Sequence, residues 1–461
     1  MSDKINLLFP VEVIDREFDY RLRLAGECSE PGNRIVIAQH DVMHEFLSSL
    51  RGGVYLGKNV FTTLFPTDLG RYRALRERGI VLVHLDEEGL VEDGSDQAVW
   101  RTGLGRRLDP SCLQPGDSVC AWGAWQRDFY RSNAPAIAED IVATGHPRFD
   151  LCKPDNRDLF AAEVHELRRR FGRFALINTS FGFGNSVYGV GETFSERAGY
   201  RVAVRDHYLR GWVHEMHLLS HFIGLIYRLS LELPDETFVV RPHPVEDRRV
   251  YDVVFDDSPN VHVVREGAIT PWLLACDVAL HERCTTGIEA ALAGTPIVTY
   301  TPIADERRAM YVPSLFGVKA RTEDEAVDAV RQALGAGRQE FDLADVPPLG
   351  RDLLANFEHD AVGGVAAVVA DAQARQSEAG TFDERTLGRI VRRRQMLDAA
   401  KRPVRPLFPD KARDYAEARR LFSGFSSATV ARKLAAVERL TRKKLRHKVY
   451  GDTAIVIESA E

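Results

Sequence analysis

Short runs of apolar and β-branched residues alternate along this chain with longer segments in which apolar residues recur at helical spacing. Ile35–Ala38 and Ile80–Val83 are apolar throughout, a pattern typical of strands buried on both faces of a parallel sheet. Helical spacing is clearest over residues 214–231. This order of elements predicts an α/β fold, in which helices cover parallel sheets.

The pattern occurs in two halves, and each half opens with its own strand. Ile5–Pro10 opens the first half, and Ala175–Thr179 opens the second half after a charged amphipathic helix. We therefore predict an N-terminal Rossmann-like domain over residues 1–155, a second over 156–375 and a basic helical extension over 376–461. No apolar run approaches the ~20 residues of a membrane-spanning helix.

In an open parallel sheet, ligand-binding groups collect at the carboxyl ends of the strands. The fourth predicted strand is followed by Asp86, Glu87 and Glu88, and a glycine closes this turn. Mutual repulsion predicts that at least one of these carboxyl groups has a raised pKa, as suits a general base. A nucleophile at an anomeric carbon is a second possible role, and a solvated acidic turn is the structural alternative.

Two other strand ends of the first half carry charge. Arg16 and Glu17 follow the first strand and are candidate contacts for a donor or an acceptor. The segment GHPRFD places His146 and Arg148 where they could contact a substrate anion. Its structural alternative is a hinge between domains with Asp150 as a helix cap.

The stretch 271–301 predicts a helix end, a strand, a polar loop, a helix and a second strand. A helix that follows a strand in this way offers backbone N–H groups and partial positive charge to a phosphate. Thr285, Thr286 and Gly287 are small enough to let a phosphate approach, and Glu289 in the first turn could reach a ribose. The alternative is an ordinary βαβ unit whose threonines only cap the helix.

The strand Thr237–Val240 ends in the segment RPHP. Its two prolines fix the loop, so that Arg241 and His243 are held in defined directions that suit a phosphate or diphosphate. A buried structural histidine is the alternative. The next strand ends in a polar loop that contains Glu266, and this loop is also compatible with a nucleotide.

The segment 180–191 is rich in glycine and follows the first strand of the second half. It matches neither the dinucleotide-binding pattern nor the P-loop pattern. It is therefore either a loop that contacts a ligand or a mobile surface loop.

Composition indicates which classes of protein and which kinds of site the chain can contain. The net charge is −6, and the chain is 44% hydrophobic and 28% charged, as in soluble globular proteins. The six cysteines form no CxxC pair, so we expect neither a zinc knuckle nor a disulfide framework. The sequence requires no metal and no cofactor. The N-terminus lacks the pattern of a signal peptide, so we expect a cytoplasmic protein.

From Ile5 to Ala370 the chain resembles the bacterial surface carbohydrate biosynthesis proteins, which are predicted glycosyltransferases of the GT-B architecture. The resemblance rests on these segments taken together and in this order: LLFPVEVIDREFD, YLGKNV, DEEGL, GHPRFDL, LINTSF, VVRPHP and VREGAITPWLLACDVALHERCTTGIEAALAGTPIVTY. It implies two Rossmann-like domains that face a cleft. It also implies transfer of a sugar from a nucleotide-activated donor to a surface polysaccharide or glycolipid acceptor.

The family shares motifs with GT-B sialyltransferases and Kdo transferases, which use CMP-activated sugars, so a CMP-sugar is the favoured donor. By this resemblance Glu87 matches the catalytic base, and His243 matches the group that binds the CMP phosphate and assists its departure. Thr285 and Thr286 match a Ser/Thr pair that holds the phosphate, and a glutamate on the following helix binds the ribose. Because the acidic motif here is DEEG, Asp86 competes with Glu87, and retention or inversion stays open.

Two other functions remain open at this stage. CDP-glycerol and CDP-ribitol phosphotransferases of teichoic acid synthesis carry similar GxPRxD and HP signatures, and they transfer a phosphoalditol instead of a sugar. A non-catalytic GT-B relative that serves as a scaffold is the second alternative.

The tail differs in composition from the rest of the chain. Between Arg389 and Lys448 there are 19 Lys or Arg against five Asp or Glu. Helices are predicted over Arg385–Ala400 and Ala428–Val449, and the second ends in a basic segment that suits an anionic membrane carrying a lipid-linked acceptor. A solvated face and a tail packed on the first domain are the alternatives. We expect no nucleic acid partner, because no aromatic residues interleave the charges.

Overall fold

A computed structural model describes residues 4–58, 66–89, 94–303, 311–376 and 380–460. The described chain forms two compact units. The first contains the residues up to Gly89, Gln97–Leu151 and the described residues from Pro347 onward, and the second contains Cys152–Val346 with the few described residues before Gln97. The last two residues of YLGKNV and the last residue of DEEGL lie outside the described residues.

Strands and helices alternate through both units, as the sequence predicts. The strands are β1 Ile5–Val11, β2 Asn33–Gln39, β3 Val54–Gly57, β4 Val81–Leu85, β5 Ser118–Ala121, β6 Ile141–Ala143, β7 Phe174–Asn178, β8 Thr237–Arg241, β9 Val261–Val263, β10 Val278–His281, β11 Ile297–Tyr300, β12 Val318–Ala320, β13 Leu445–Tyr450 and β14 Ala454–Ser459. The helices are α1 Ile14–Glu27, α2 His40–Leu47, α3 Pro66–Glu77, α4 Gln97–Arg107, α5 Ala124–Asn133, α6 Pro147–Asp150, α7 Ala161–Phe171, α8 Val190–Thr193, α9 Arg205–Glu232, α10 Arg249–Val254, α11 Thr270–Ala275, α12 Thr286–Ala293, α13 Glu323–Ala336, α14 Pro348–Leu353, α15 Ala361–Ala374, α16 Glu384–Lys401, α17 Pro409–Leu421 and α18 Ser427–Thr441.

The first unit is built on an eight-stranded sheet in the order β13-β14-β2-β1-β3-β4-β5-β6. The pairs from β2 to β6 are parallel, whereas β14 runs antiparallel to β2 and to β13. Leu7, Leu8 and Phe9 of β1 are fully buried, because helices cover both faces of the sheet. The order in which successive strands are added to the sheet reverses between β1 and β3, and an open α/β sheet leaves a crevice at such a point.

The second unit has a six-stranded, wholly parallel sheet in the order β12-β11-β10-β7-β8-β9. This is the strand order of a dinucleotide-binding Rossmann fold, and its order reverses between β7 and β10. The long helix α9 buries Phe222, Leu225 and Ile226 in the core of this unit. The predicted fold class, two Rossmann-like α/β domains with a helix-rich C-terminal portion, is therefore confirmed.

The tail contains a β-hairpin that the sequence analysis did not predict. The helix predicted over Ala428–Val449 ends instead at Thr441, and Arg442 adopts a left-handed conformation with φ of 57°. Beyond it β13 and β14 pair, and β14 extends the first unit's sheet beside β2. Pairing with an open sheet edge overrides local helix preference here, because the edge strand supplies backbone partners that a helix end lacks.

The predicted domain boundaries differ from those of the structure. The second unit ends at Val346, and residues 347–375 belong to the first unit. The reason is α15, an apolar helix that packs on the first unit's sheet and is capped by Asp150, whose Oδ2 accepts the N–H groups of Ala361 and Val362 at 2.5 and 2.9 Å. None of the helices within the described ranges is both long and apolar enough to cross a membrane.

Candidate functional site

Glu87 follows β4 and lies at the centre of a buried charged cluster in the first unit. Its carboxylate accepts a hydrogen bond from Tyr20 Oη, and its Oε1 lies 3.6 Å from Arg21 Nη2. Its Oε2 lies 3.3 Å from Nε2 of His146. The side chain of Glu87 is only 1% exposed, so the residue matched to the catalytic base lies beneath the surface.

The surroundings of His146 and Glu87 shift the pKa of both groups. Nδ1 of His146 accepts the backbone N–H of Arg148 at 3.1 Å, so the proton of the neutral ring lies on Nε2, the nitrogen that faces Glu87 Oε2 across 3.3 Å. Burial lowers the pKa of His146. Burial opposes ionisation of Glu87 as well, but His146, Arg21 and Lys58 outweigh it and hold the pKa of Glu87 well below its usual range. Burial of His146 and the charges around Glu87 therefore lower the pKa of both members of the pair.

The acidic turn itself is held by tryptophan and glutamine side chains. Trp122 Nε1 donates to the carbonyl of Asp86 at 2.7 Å, and Gln126 Nε2 donates to the carbonyl of Gly89 at 2.6 Å. A Cβ on Gly89 would lie 2.8 Å from atoms of both side chains, so only glycine fits this close approach.

Glu88 occupies the more exposed side of the same turn. Its carboxylate accepts from Arg16 at 2.9 Å and from both terminal nitrogens of Arg107 at 3.1 Å. Burial opposes ionisation, but the two guanidinium groups lower the pKa of Glu88 to about 2. Glu88 is 41% exposed, and it is therefore the carboxylate of this turn that solvent reaches most readily.

The prediction of a raised pKa within the acidic turn is wrong for Glu87 and Glu88. Each carboxylate is separated from its neighbour and faces its own cations, so attraction outweighs the expected repulsion. The raised pKa belongs instead to Glu17, where burial and the charge of Glu87 both act. Glu17 accepts the N–H of Glu12 at 2.7 Å and lies 3.4 Å from Lys58 Nζ, at the crevice between β1 and β3.

The segment GHPRFD has a structural role in the first unit. His146 and Arg148 are buried, so the predicted contact with a substrate anion is wrong for the arrangement seen here. Asn356 Oδ1 accepts the N–H of His146 at 2.8 Å, and its amide nitrogen donates to Asp150 at 2.8 Å. With Asp150 capping α15, this segment joins the core of the unit to residues far away in sequence.

In the second unit, Glu246 holds the RPHP loop from inside. Its Oε1 accepts from Thr179 Oγ1 at 2.7 Å and from the N–H of His243 at 2.9 Å, and its Oε2 accepts from Tyr251 Oη at 2.7 Å. His243 is exposed, so it is not the buried structural histidine that the sequence left as an alternative. Its Nδ1 accepts the N–H of Val245 at 3.4 Å, which leaves the proton of the neutral ring on Nε2.

Arg241 and Glu266 make contacts within the protein. Arg241 donates to the carbonyls of Glu266 and Gly267 at 2.7 and 3.0 Å, and its guanidinium lies over the Trp272 ring, 4.9 Å from the centroid. The Glu266 carboxylate accepts from Arg170 at 2.7 Å. Both side chains thus brace the loop after β9, and their contact with a nucleotide stays a prediction.

The loops after β7, β8 and β10 meet at one edge of the second sheet. Asn178, the last residue of β7, is in register with Arg241 of β8, and its amide donates to Thr286 Oγ1 at 3.3 Å. Thr285 and Thr286 are partly exposed at the start of α12, whereas Glu289 is buried. The threonine helix start and the RPHP loop therefore lie on the same side of the sheet, at the reversal of strand order.

Glu215 of α9 ties the glycine-rich loop to the loop after β10. Its Oε2 accepts the N–H groups of Phe183 and Gly184 at 2.8 and 2.9 Å, and its Oε1 accepts from Arg283 at 2.7 Å. A Cβ on Gly184 would lie 2.9 Å from Cβ of Glu215, so the loop needs glycine to approach the helix. The glycine-rich loop is thus anchored at this point.

Sequence reasoning missed the side chains that hold these loops. Those in the first unit are Tyr20, Arg21, Lys58 and Arg107, and those in the second are Asn178, Glu215, Glu246 and Arg283. Lys58, Asn178 and Arg283 fall inside segments that the sequence analysis singled out, and Glu246 lies two residues after the RPHP segment. Glu215 carries no local signal, because it is one polar position on a long helix.

No protein-family model matches the chain, and no curated protein matches it in sequence. Solved structures do share its fold. A UDP-N-acetylglucosamine 2-epimerase is 13% identical with a TM-score of 0.50, and the match covers 83% of this chain and 100% of that chain. The UDP-GlcNAc 2-epimerase from Neisseria meningitidis is 12% identical over 81% of this chain and 100% of that chain, with a TM-score of 0.47. The wall teichoic acid polymerase TagF is 10% identical over 82% and 90%, with a TM-score of 0.46.

These matches concern the fold and leave the reaction open. The likeness at a TM-score of 0.50 agrees with the strand orders of the two units, and together they define a GT-B-like protein with two Rossmann-like units. The ligand that the chain binds depends on the residues of its own site.

Proposed function

We propose that this protein is a cytoplasmic glycosyltransferase that moves a sugar from a nucleotide-activated donor to a surface polysaccharide or glycolipid acceptor. A CMP-sugar is the favoured donor. The observation that supports the proposal most strongly is the meeting of three loops at the strand-order reversal of the second unit, where open α/β sheets bind nucleotides.

In this proposal the start of α12 holds the donor phosphate. The N–H groups of Gly287 and Ile288 bond to the carbonyls of Cys284 and Thr285 at 3.0 Å, so phosphate binding falls to the hydroxyl and N–H groups of Thr285 and Thr286. Exposed His243 donates from Nε2 and offsets charge as the CMP leaves. Arg241 acts indirectly, since it holds the neighbouring loop.

The first unit binds the acceptor in this proposal, and its acidic turn supplies the carboxylate. Glu87 is ionised but buried, and a strongly lowered pKa makes it a weak base. We therefore assign Glu87 to positioning the turn through Tyr20 and His146. In this proposal Glu88, the exposed member of the turn, contacts an acceptor hydroxyl, whereas Asp86 is only 7% exposed and lies 3.7 Å from Arg107.

A thermal-shift panel of CMP, CDP, UDP and GDP tests donor binding, because a ligand that binds only the folded state raises its stability. We expect CMP to give the largest shift and the double variant Thr285→Ala, Thr286→Ala to abolish it. Val253→Ala, at an exposed position of the same unit, is the control and should keep the shift. If none of the four nucleotides shifts the unaltered protein, the proposed donor site is wrong.

Incubation with CMP-sugars, CDP-glycerol and UDP-GlcNAc then separates the reactions. Transfer from a CMP-sugar supports the proposal, and His243→Ala should lower the rate by about 100-fold, as for loss of one donor to a developing charge. CMP released only from CDP-glycerol indicates a phosphoalditol transferase instead. A product epimerised from UDP-GlcNAc likewise overturns sugar transfer. If the surface-polysaccharide phenotype of cells survives His243→Ala, the protein is the non-catalytic scaffold instead.

A further inference from the structure

The end of α16 and the turn that follows it expose an unusual group of apolar side chains. Among the described residues, the first unit exposes seven large apolar side chains, and five of them fall between Met396 and Phe408. These five are Met396, Leu397, Val404, Leu407 and Phe408. Leu407 is 73% exposed and Met396 is 72% exposed. We call residues 396–408 the apolar corner.

Side-chain contacts hold the backbone of the apolar corner in place. Asp398 pairs with Arg405 and accepts a hydrogen bond from Tyr415 Oη at 2.9 Å, and the Arg405 guanidinium lies against the Tyr415 ring. This clamp joins the end of α16 to the middle of α17 across the intervening prolines. The apolar side chains are therefore displayed by a fixed backbone.

The first half of α16 anchors the corner to the unit. Leu387, Ile390 and Val391 of α16 are buried in the core, and Arg394 Nε donates to Glu45 of α2 at 2.9 Å. Contacts of this kind end before Met396, since nearly every residue from there to Phe408 is exposed. The helix thus has one half that packs and one half that faces solvent.

Basic residues are frequent along the chain on both sides of the exposed apolar side chains. Between Arg392 and Arg413 there are eight Lys or Arg against two Asp. Lys401, Arg402 and Lys411 are exposed, and Lys411 Nζ lies 5.4 Å from the centre of the Phe408 ring. Exposed apolar side chains with exposed cations next to them in the chain are the pattern of a surface that lies in the headgroup region of an anionic bilayer.

We propose that the apolar corner docks the protein on an anionic lipid surface, with Leu407 and Phe408 entering the interface and Lys401, Arg402 and Lys411 contacting lipid phosphates. A second copy of the chain fits this surface poorly, because it would bring the same positive charges together. This contact lies outside the basic segment 442–446, for which the sequence predicted one. Lys443 of that segment is held by the carbonyl of Glu27 and the carboxylate of Glu30, and the segment leads into β13.

Vesicle flotation of the full-length chain tests this inference. We expect binding to vesicles of phosphatidylcholine mixed with phosphatidylglycerol, weaker binding to phosphatidylcholine alone, and loss of binding at high salt. The variant Lys401→Glu, Arg402→Glu should bind anionic vesicles about tenfold more weakly or worse, given the contribution of each basic residue near a charged membrane. Leu407→Asp, Phe408→Asp should remove binding even at low salt.

Two matched variants in the second unit serve as controls. Val253→Asp changes an exposed apolar residue and Arg321→Glu changes an exposed basic one, and both should float like the unaltered protein. All variants alter exposed residues, so circular dichroism and thermal unfolding should match those of the unaltered protein. The inference is overturned if anionic vesicles do not bind the chain, or if the corner variants bind as well as the controls.

Self-association of the chain is measured in the same series. If light scattering shows a dimer that the corner variants abolish while vesicle binding persists, the surface is an interface between copies and lipid docking is wrong. The inference is independent of the proposed donor chemistry, because nucleotide shifts and vesicle binding are separate measurements. Either can fail while the other holds.

Discussion

The sheet edges of the two units use charge in opposite ways. In the first unit, charged side chains hold one another: Glu87 lies against Arg21, and Glu88 lies between Arg16 and Arg107. In the second unit, buried carboxylates hold backbone. Those of Glu215 and Glu246 accept N–H groups of the glycine-rich loop and the RPHP loop.

Because of this difference, we expect substitutions at the two edges to have different effects. Removing one member of the first network leaves a charge of the opposite sign buried, so the main effect should fall on stability. Removing an anchor from the second edge frees a loop whose outer groups are exposed, so ligand affinity should fall together with stability. The variants below test this contrast, from the largest expected effect to the smallest.

Glu87→Ala should destabilise the first unit most, because Arg21 stays buried with its carboxylate partner removed and Tyr20 loses its acceptor. We expect a loss of ~3–5 kcal/mol in the free energy of unfolding, measured by urea denaturation. Glu166→Ala is the control, since that carboxylate is exposed and pairs with Arg169 on one helix; its effect should stay within ~0.5 kcal/mol. Equal losses in the two variants would contradict the buried network.

Glu215→Ala should loosen the glycine-rich loop, because two backbone N–H groups and Arg283 lose their acceptor together. We expect a stability loss of ~1–3 kcal/mol and a nucleotide affinity lower by about tenfold, measured by calorimetry with the nucleotide that the panel identifies. Glu215→Gln keeps an oxygen for the N–H groups and should recover part of the affinity. If stability falls while affinity is unchanged, Glu215 is structural and plays no part in positioning the loop.

Glu88→Gln should have the smallest effect and should depend on pH. The folded-state pKa of about 2 lies below the ordinary value of 4.5, so ionised Glu88 stabilises the fold above pH 4.5, and this contribution is lost as the pH falls toward 2. Because the side chain is 41% exposed, screening by solvent limits the gain to under ~1 kcal/mol. Urea unfolding at neutral pH should separate the variant from the unaltered protein. At acid pH the difference should shrink, and a difference that grows there would contradict the assignment.

The fold could be predicted from the sequence to a large extent because its signals are local. The strands that open the two units and the helix α12 follow from apolar runs and helical spacing. The sheet of the second unit then brings the RPHP loop and the threonine helix start to one edge, since the carboxyl ends of parallel strands meet there.

The roles of individual side chains could not be predicted in the same way. Arg241, Glu266, His146 and Arg148 are of types that suit an anion, yet in the structure they bind carbonyls, a cation or the protein core. Sequence spacing places a residue at a strand end, but it does not show which residue or ligand its side chain contacts in the folded protein. The residues that decide this lie tens to hundreds of positions away.

By itself, the sequence determined the order of strands and helices, the two halves and the basic composition of the tail, because each depends on neighbours within a few residues. Only the tertiary structure decided that β14 pairs with β2, that Asp150 caps α15 and that Glu87 is buried against Arg21 and His146. The physical reason is that burial and pairing set the energy and pKa of a charged group, and both depend on contacts made after the chain has folded.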